Sequence, residues 1–283
     1  MIIVSTRRVL TPIKYTAFAL QHRVVDYAVI ALRFKTGLAF FCRRMDELKE
    51  MLPGPRSLIE KLQQDGFALV RGLVNLHEVN NLSQAIAPQA TASRSAGVRG
   101  LAGKVPAVGL LAQTHNIRQP VDMILDPSAR LVRSILFRKD AQVNWHVNWH
   151  QDVTIAVDGT TEDPQYSAWS TKERVTHVQP PLSVLQRMLT VRIHLDVTDE
   201  DNGALCVIPG SHRMGRIAAS EVATVAKNAE QTICRAQPGD ALLFHPLLVH
   251  ASHKASSDRP RRIIHLEYCD APLAQGLSWV DTA

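Results

Sequence analysis

The stretch that most constrains this chain is Asn144-Trp145-His146-Val147-Asn148-Trp149-His150-Gln151-Asp152. In an extended strand, residues two apart point to the same face. His150 and Asp152 can therefore bind one cation together while Gln151 faces the other way. One more His, arriving from a distant strand, would complete two nitrogens and one oxygen on a single face of a metal. That arrangement leaves coordination positions open and suits the non-haem Fe(II) oxygenases. Spacing alone does not select this pair, because His194-Leu195-Asp196 and His265-Leu266-Glu267 repeat the pattern. Each of the three also reads as an ordinary strand with a satisfied polar face.

Composition narrows the class. With 283 residues, 46% of them hydrophobic and 20% charged, the chain is globular and has room for one large β domain or two small ones. The formal charge of +6 is unevenly placed: residues 1–52 hold nine Lys or Arg against four Asp or Glu, so the remaining 231 residues carry only +1. A basic core built for nucleic acid is not supported. Cys42, Cys206, Cys234 and Cys269 lie far apart with no CxxC spacing, which reads as free, buried thiols in a reducing compartment, hence a cytoplasmic chain. No run of 18 uninterrupted apolar residues exists, so no transmembrane helix is expected.

Residues 1–52 stand apart from the rest. Their best apolar run, Tyr27 to Cys42, is broken by Arg33 and Lys35, unlike the apolar centre of a secretory signal. An amphipathic surface helix, an organelle-type presequence and sequence upstream of a start at Met45 or Met51 all fit. The last is preferred, because regular helix and strand signals begin only after Pro53. The expected division is an extension over 1–52, disordered or upstream of the true start, and a folded domain over 53–283.

Within that domain, Ser57-Leu58-Ile59-Glu60 reads as a capping box and Gly66 as the stop of its helix. Phe67 to Leu73 reads as a strand, and Asn75 with Glu78 caps a helix to about Ala87. The segment from Thr91 to Val108 reads as a loop, followed by a helix around Leu110, a break at Asp126-Pro127 and a strand from Val132 to Arg138. Val153 to Pro181 reads as a long functional loop, a lid over the site, with Trp169 as its candidate substrate contact. Met188–Val197 and Ala204–Ile208 read as a hairpin turning at Asn202-Gly203. A helical stretch from Ala218 to Gln231 follows, then a turn at Gly239-Asp240 and strands over Ala241–Val249 and Arg262–Tyr268. Short punctuated strands preceded by helices predict a mainly β fold, a sandwich or jelly roll with a helical N-terminal layer.

In order and spacing, Trp149-His150-Gln151-Asp152, Asp201-Asn202-Gly203-Ala204-Leu205, Pro209-Gly210-Ser211-His212, and Gly239-Asp240 leading to Leu248-Val249-His250-Ala251-Ser252 and Arg261-Arg262 resemble the phytanoyl-CoA dioxygenase family of Fe(II)- and 2-oxoglutarate-dependent oxygenases. The resemblance spans roughly residues 58 to 270. It implies a double-stranded β-helix, a cupin-like jelly roll whose mouth holds iron. His150, Asp152 and His250 match the metal ligands, with 2-oxoglutarate and O₂ taking the open positions. Arg261, eleven residues after His250, matches the Arg that holds the distal carboxylate of 2-oxoglutarate, and Ser252 the hydroxyl that supports it. A guanidinium suits that carboxylate because its planar fork matches the anion. Arg259 and Arg262 are second choices, with a solvated basic edge as their plain alternative. Gln151 either hydrogen-bonds the co-substrate or orients the turn. His212, His245, His253, Trp145 and Trp149 read as structural. Family relatives that transfer halide lack the carboxylate ligand, so Asp152 favours hydroxylation. The substrate implied is a small or medium organic metabolite, with neither nucleic acid nor membrane as partner. Two other classes remain: a jelly-roll metal-binding or regulatory protein without turnover, and a cupin-like isomerase or hydrolase with a different metal.

Overall fold

The computed structural model describes residues 15–19, 27–34, 37–44, 55–92, 95 and 97–281. The chain divides into two units, Met1–Leu58 and Ile59–Ala283. In the first, β1 (Tyr15–Ala19), β2 (Tyr27–Phe34) and β3 (Gly37–Arg44) form an antiparallel sheet in that order. Tyr27, Val29, Ile30, Phe40 and Phe41 are β-branched or aromatic and favour strands, whereas the amphipathic surface helix is one of the three readings of this stretch. Met45 and Met51 lie outside the described residues.

The second unit begins within α1 (Pro55–Asp65) and continues with β4 (Phe67–Val70), α2 (Leu76–Ala92), β5 (Gly97–Arg99), α3 (Leu101–Lys104), α4 (Pro106–Gln113) and α5 (His115–Ile124). Strands β6 (Arg130–Lys139), β7 (Val147–His150), β8 (Ile155–Gly159), β9 (Ser167–Lys172) and β10 (Val175–Gln179) follow. Then come α6 (Leu182–Leu185), β11 (Met188–His194), β12 (Leu205–Val207), α7 (Ala219–Lys227) and β13 (Thr232–Cys234). The last strands are β14 (Ala241–Phe244), β15 (His250–Ser252), β16 (Arg261–Cys269) and β17 (Leu277–Trp279).

Two antiparallel sheets make the frame: six strands in the order β4-β14-β11-β16-β6-β5, and four in the order β13-β12-β15-β7. They pack face to face, with Leu205, Val207 and Cys234 of the smaller sheet against Leu242, Phe244 and Leu248. This is the jelly-roll arrangement expected, with the sheets left separate rather than closed into a barrel. Helix α7 packs against β7 of the smaller sheet, whereas α3 to α5 cover the outer face of the larger one. There the Ala102 N–H donates to Ser134 Oγ at 2.8 Å, and Tyr268 Oη donates to the Ala112 carbonyl at 2.8 Å. Alternation along β16 thus sends Ile264, Leu266 and Tyr268 to the helices and Arg261, Ile263, His265 and Glu267 inward.

Local signals hold with shifted boundaries. Helix α1 starts at Pro55, a residue suited to the first helical turn, so Ser57 is inside the helix rather than its cap. Gly66, at φ 82°, stops that helix. Asn75 Oδ1 accepts from the Glu78 N–H at 2.9 Å, and α2 then runs past Ala87 to Ala92, carried by its alanines through Pro88.

Four expectations fail. Residues 91–108 contain the end of α2, β5, α3 and the start of α4 rather than one loop. Residues 153–181 are not a lid: β8, β9 and β10 join β17 in a four-stranded sheet ordered β17-β8-β10-β9. Their signal is weak because few of their residues, Ile155, Ala156, Val157 and Val178, bury apolar side chains, while every residue of the polar edge strand β9 is exposed. Strands β11 and β12 belong to different sheets, so Asn202-Gly203 closes no hairpin. Asp199 caps a short 3₁₀ turn over Glu200–Asn202, and Gly203 at φ 77° sends the chain across to the second sheet. The run Ala241–Val249 likewise splits, at His245-Pro246, into β14 of one sheet and the approach to β15 of the other.

Candidate metal centre

Strands β7 and β15 are hydrogen-bonded neighbours, with His150 opposite His250. Their imidazole centroids lie 4.2 Å apart. Each ring is fixed through Nδ1, which is 2.8 Å from a carbonyl two residues back, Asn148 for His150 and Leu248 for His250. A donor Nδ1–H at those carbonyls leaves both Nε2 atoms as lone-pair donors. Asp152 follows the end of β7, held by its N–H on the Pro246 carbonyl at 2.8 Å. Its two oxygens stand 3.6 Å from His150 Nε2 and 3.5 Å from His250 Nε2. The three donor atoms thus gather within 4.8 Å of one another, two neutral-capable nitrogens and one oxygen.

The electrostatics suit a divalent cation. Burial pushes His250 down to about 4, and His150 pushes the same way against the pull of Asp152. For Asp152, burial opposes ionisation, but the charge of His250 and the hydrogen bond from His150 hold its carboxyl well below the usual range. Burial also opposes a charged His150, and Asp152 outweighs it, so that pKa is raised. An ionised Asp152 beside a neutral His250 is the protonation pattern a metal requires. This donor set fits Fe(II).

A cavity of about 130 Å³ opens beside these residues, between the two sheets. Arg261 and Ser252 line it. Arg261 is 1% exposed, and its Nη1 donates to the Gly203 carbonyl and, at 3.2 Å, to Ser252 Oγ. Burial pushes its pKa down to about 9, helped by Arg192. Its cross-strand partner Lys139 is fully buried, and Nζ donates to Ser252 Oγ at 2.8 Å and to the His253 carbonyl. A Cβ at Gly203 would stand 2.7 Å from Lys139 Nζ, so this glycine makes room for the cation as well as turning the chain.

Other candidates fall elsewhere. Gln151 does not line the cavity: its Nε2 donates to the Leu247 and Gly215 carbonyls at 2.6 and 2.8 Å, and its Oε1 accepts from the Ile217 N–H at 2.8 Å. It orients the turn and has little capacity left for a co-substrate, which corrects the co-substrate role. Arg259 pairs with Asp199, and Arg262 with Asp196, as an outer ion-paired edge. With Asp196 so engaged and His194 bonded to Thr198 Oγ1, the second His-x-acid pair forms no cation site. His212 stacks on His245, centroids 5.1 Å apart, in a separate cavity, and the His253 ring meets His146. Trp169 is exposed on β9 and does not reach the cavity, whereas Trp145 lines it.

The third His-x-acid pair does reach the centre. His265 and Glu267 line the same cavity, joined by a 2.9 Å hydrogen bond, with Arg133 3.3 Å from the Glu267 carboxylate. Their ligating atoms and those of Asp152 also gather within 4.8 Å. Arg133 and Arg192 complete a polar interior among Ile135, Phe137 and Leu205. The available signal was alternation: positions 133, 135, 137 and 139 of β6 face the same side as 261, 263, 265 and 267 of β16.

A family model described as "Phytanoyl-CoA dioxygenase (PhyH)" matches residues 62–263. No curated protein matches the chain. Among solved structures, AviO1 from Streptomyces viridochromogenes Tue57 is 20% identical, with 78% of this chain and 97% of that chain covered at a TM-score of 0.59. EctD from S. alaskensis, with 2-oxoglutarate and 5-hydroxyectoine, is 20% identical, with 75% and 74% covered at 0.58. HygX from Streptomyces hygroscopicus, with nickel and 2-oxoglutarate bound, is 17% identical, with 81% and 96% covered at 0.58.

Proposed function

Given that the chain belongs to the phytanoyl-CoA dioxygenase family, we propose that it hydroxylates a small or medium organic metabolite at a centre formed by His150, Asp152 and His250. The chain is a non-haem iron oxygenase, dependent on Fe(II), 2-oxoglutarate and O₂. The observation that carries the site assignment is the convergence of both Nε2 atoms on the Asp152 carboxylate. The catalytic domain is residues 53–283, and residues 1–52 are an extension to it. Among the described residues, the buried free cysteines Cys206, Cys234 and Cys269 favour a cytoplasmic setting, and no described helix is long and apolar enough to cross a membrane.

Bound by these three side chains, iron supplies the coupled chemistry in which 2-oxoglutarate, O₂ and a substrate C–H become succinate, CO₂ and a C–OH group. The protein's own contribution is positioning. The carbonyls of Asn148 and Leu248 hold both imidazoles with Nε2 aimed at one point. Arg261, Ser252 and Lys139 offer a buried cationic seat for the distal carboxylate of the co-substrate, which fixes its reactive end toward the ligands. Apolar Ile135, Phe137 and Leu205 keep water from that space. Asp152 supplies the carboxylate ligand, which favours hydroxylation over halide transfer.

The test is succinate formation from 2-oxoglutarate under O₂, stimulated by a metabolite extract. We expect His150→Ala combined with Asp152→Ala to abolish it. Undiminished succinate formation in that variant would remove these residues from the centre.

A further inference from the structure

Arg192 sits in the middle of β11, opposite His265 on one neighbouring strand and Leu242 on the other. Its side chain enters the cavity that holds the three candidate ligands. It is 6% exposed, and its Cζ stands 5.4 Å from the centroid of the Phe137 ring. Among the described residues none accepts a hydrogen bond from it, and its Nε is buried without a partner. The other cations that line this cavity are engaged, Arg133 with Glu267 and Arg261 with Gly203 and Ser252, and nearby Lys139 is bonded to Ser252.

A guanidinium cannot readily escape this situation by losing its proton. Burial pulls its pKa down to about 10, with the charge of Asp152 opposing the shift. That carboxylate also faces His150 and His250, so it is not free to serve Arg192. Contact with the Phe137 face returns less than the loss of water costs the ion. Neighbouring Arg261 and Lys139 add repulsion. The position therefore lacks an anion when the cavity holds only protein.

We propose that Arg192 is the receptor for a further carboxylate, separate from the one seated on Arg261. The inference rests on the reading that Arg261 takes the distal carboxylate of 2-oxoglutarate. The second carboxylate comes from one of two sources, the metal-side end of 2-oxoglutarate or the primary substrate. In the second case the substrate is a carboxylic acid. A planar, forked donor in a partly dry cavity is matched to either.

The test compares wild type with Arg192→Met, which keeps most of the stem and removes the charge. The thermal midpoint of the metal-free protein is measured first, alone and with 2-oxoglutarate or monocarboxylates from acetate to benzoate. Anaerobic titrations with Fe(II) and 2-oxoglutarate follow, with the same monocarboxylates added at saturation. A merely structural Arg192 would make the variant less stable. An unpaired anion receptor makes it at least as stable and less responsive to carboxylates. A rise of about ten-fold or more in the Kd for 2-oxoglutarate assigns the co-substrate as source. An unchanged Kd with loss of monocarboxylate binding assigns an acidic substrate. A less stable variant, or one that binds 2-oxoglutarate and every monocarboxylate as wild type does, overturns the proposal. Arg261→Met run in parallel separates the two readings: if it leaves 2-oxoglutarate binding intact, the seat on Arg261 fails, while the metal-free measurements still judge Arg192.

Discussion

Lys139 gives the clearest signature at the scale of single residues. Burial, with Arg261 and Arg192 nearby, pushes its pKa down to about 7 from an ordinary value of 10.5. Above that folded pKa the native protein sheds the proton while the unfolded chain keeps it. The unfolded state then binds more protons, so stability rises with pH. The buried thiols Cys234 and Cys269, pushed up to about 12 from 9.0, act with the opposite sign above pH 9. The thermal midpoint of the metal-free protein should therefore climb between about pH 7 and 9 and flatten in Lys139→Met. A flat wild-type profile would contradict this. For Arg261→Met, loss of a charged hydrogen-bonding partner worth about 1.5–3 kcal/mol should weaken 2-oxoglutarate roughly ten- to hundred-fold, read by titration. Legibility at this scale was uneven. His150 and Asp152 were singled out among three His-x-acid repeats, and His250 joined to them, only by the family resemblance of the motifs that contain them. Lys139 and Arg192 were invisible because a lone cation in an apolar strand becomes informative only when the facing sheet is known.

Elements show where strand grammar works and where it fails. The end of α1 and the start of α2 were readable from Gly66 and from Asn75 with Glu78, because those residues satisfy local backbone needs. The sheet containing β8–β10 was not readable, since its polar edge strand is indistinguishable from a loop without its partner. The crossing from β11 to β12 was misread for a related reason: Asn-Gly specifies a tight turn but not which sheet receives the chain. Gly239 is a place where an element depends on one residue. At φ 89°, a Cβ there would lie 2.1 Å from the Val74 carbonyl oxygen. Gly239→Ala should cost at least about 1–3 kcal/mol, seen as a lower urea midpoint. Gln151→Ala removes three hydrogen bonds to the backbone beside Asp152. It should destabilise the fold by about 1–3 kcal/mol or more and weaken metal binding through displacement of Asp152, whereas a co-substrate role would weaken only 2-oxoglutarate.

For the molecule as a whole, one deep cavity between two facing sheets brings together a metal-ready triad, a buried cationic seat and the His265–Glu267 pair. The match over residues 62–263 lies within the unit that contains all of them and stops just short of His265 and Glu267. A chain shortened to residues 53–283 should accordingly bind Fe(II) and 2-oxoglutarate as the full chain does. The most direct test of the account is anaerobic titration of the full chain with Fe(II) and then 2-oxoglutarate, followed by visible absorbance. The account predicts a weak charge-transfer band that needs both additions and is absent in His250→Ala. A folded, metal-binding protein that develops no such band would contradict it.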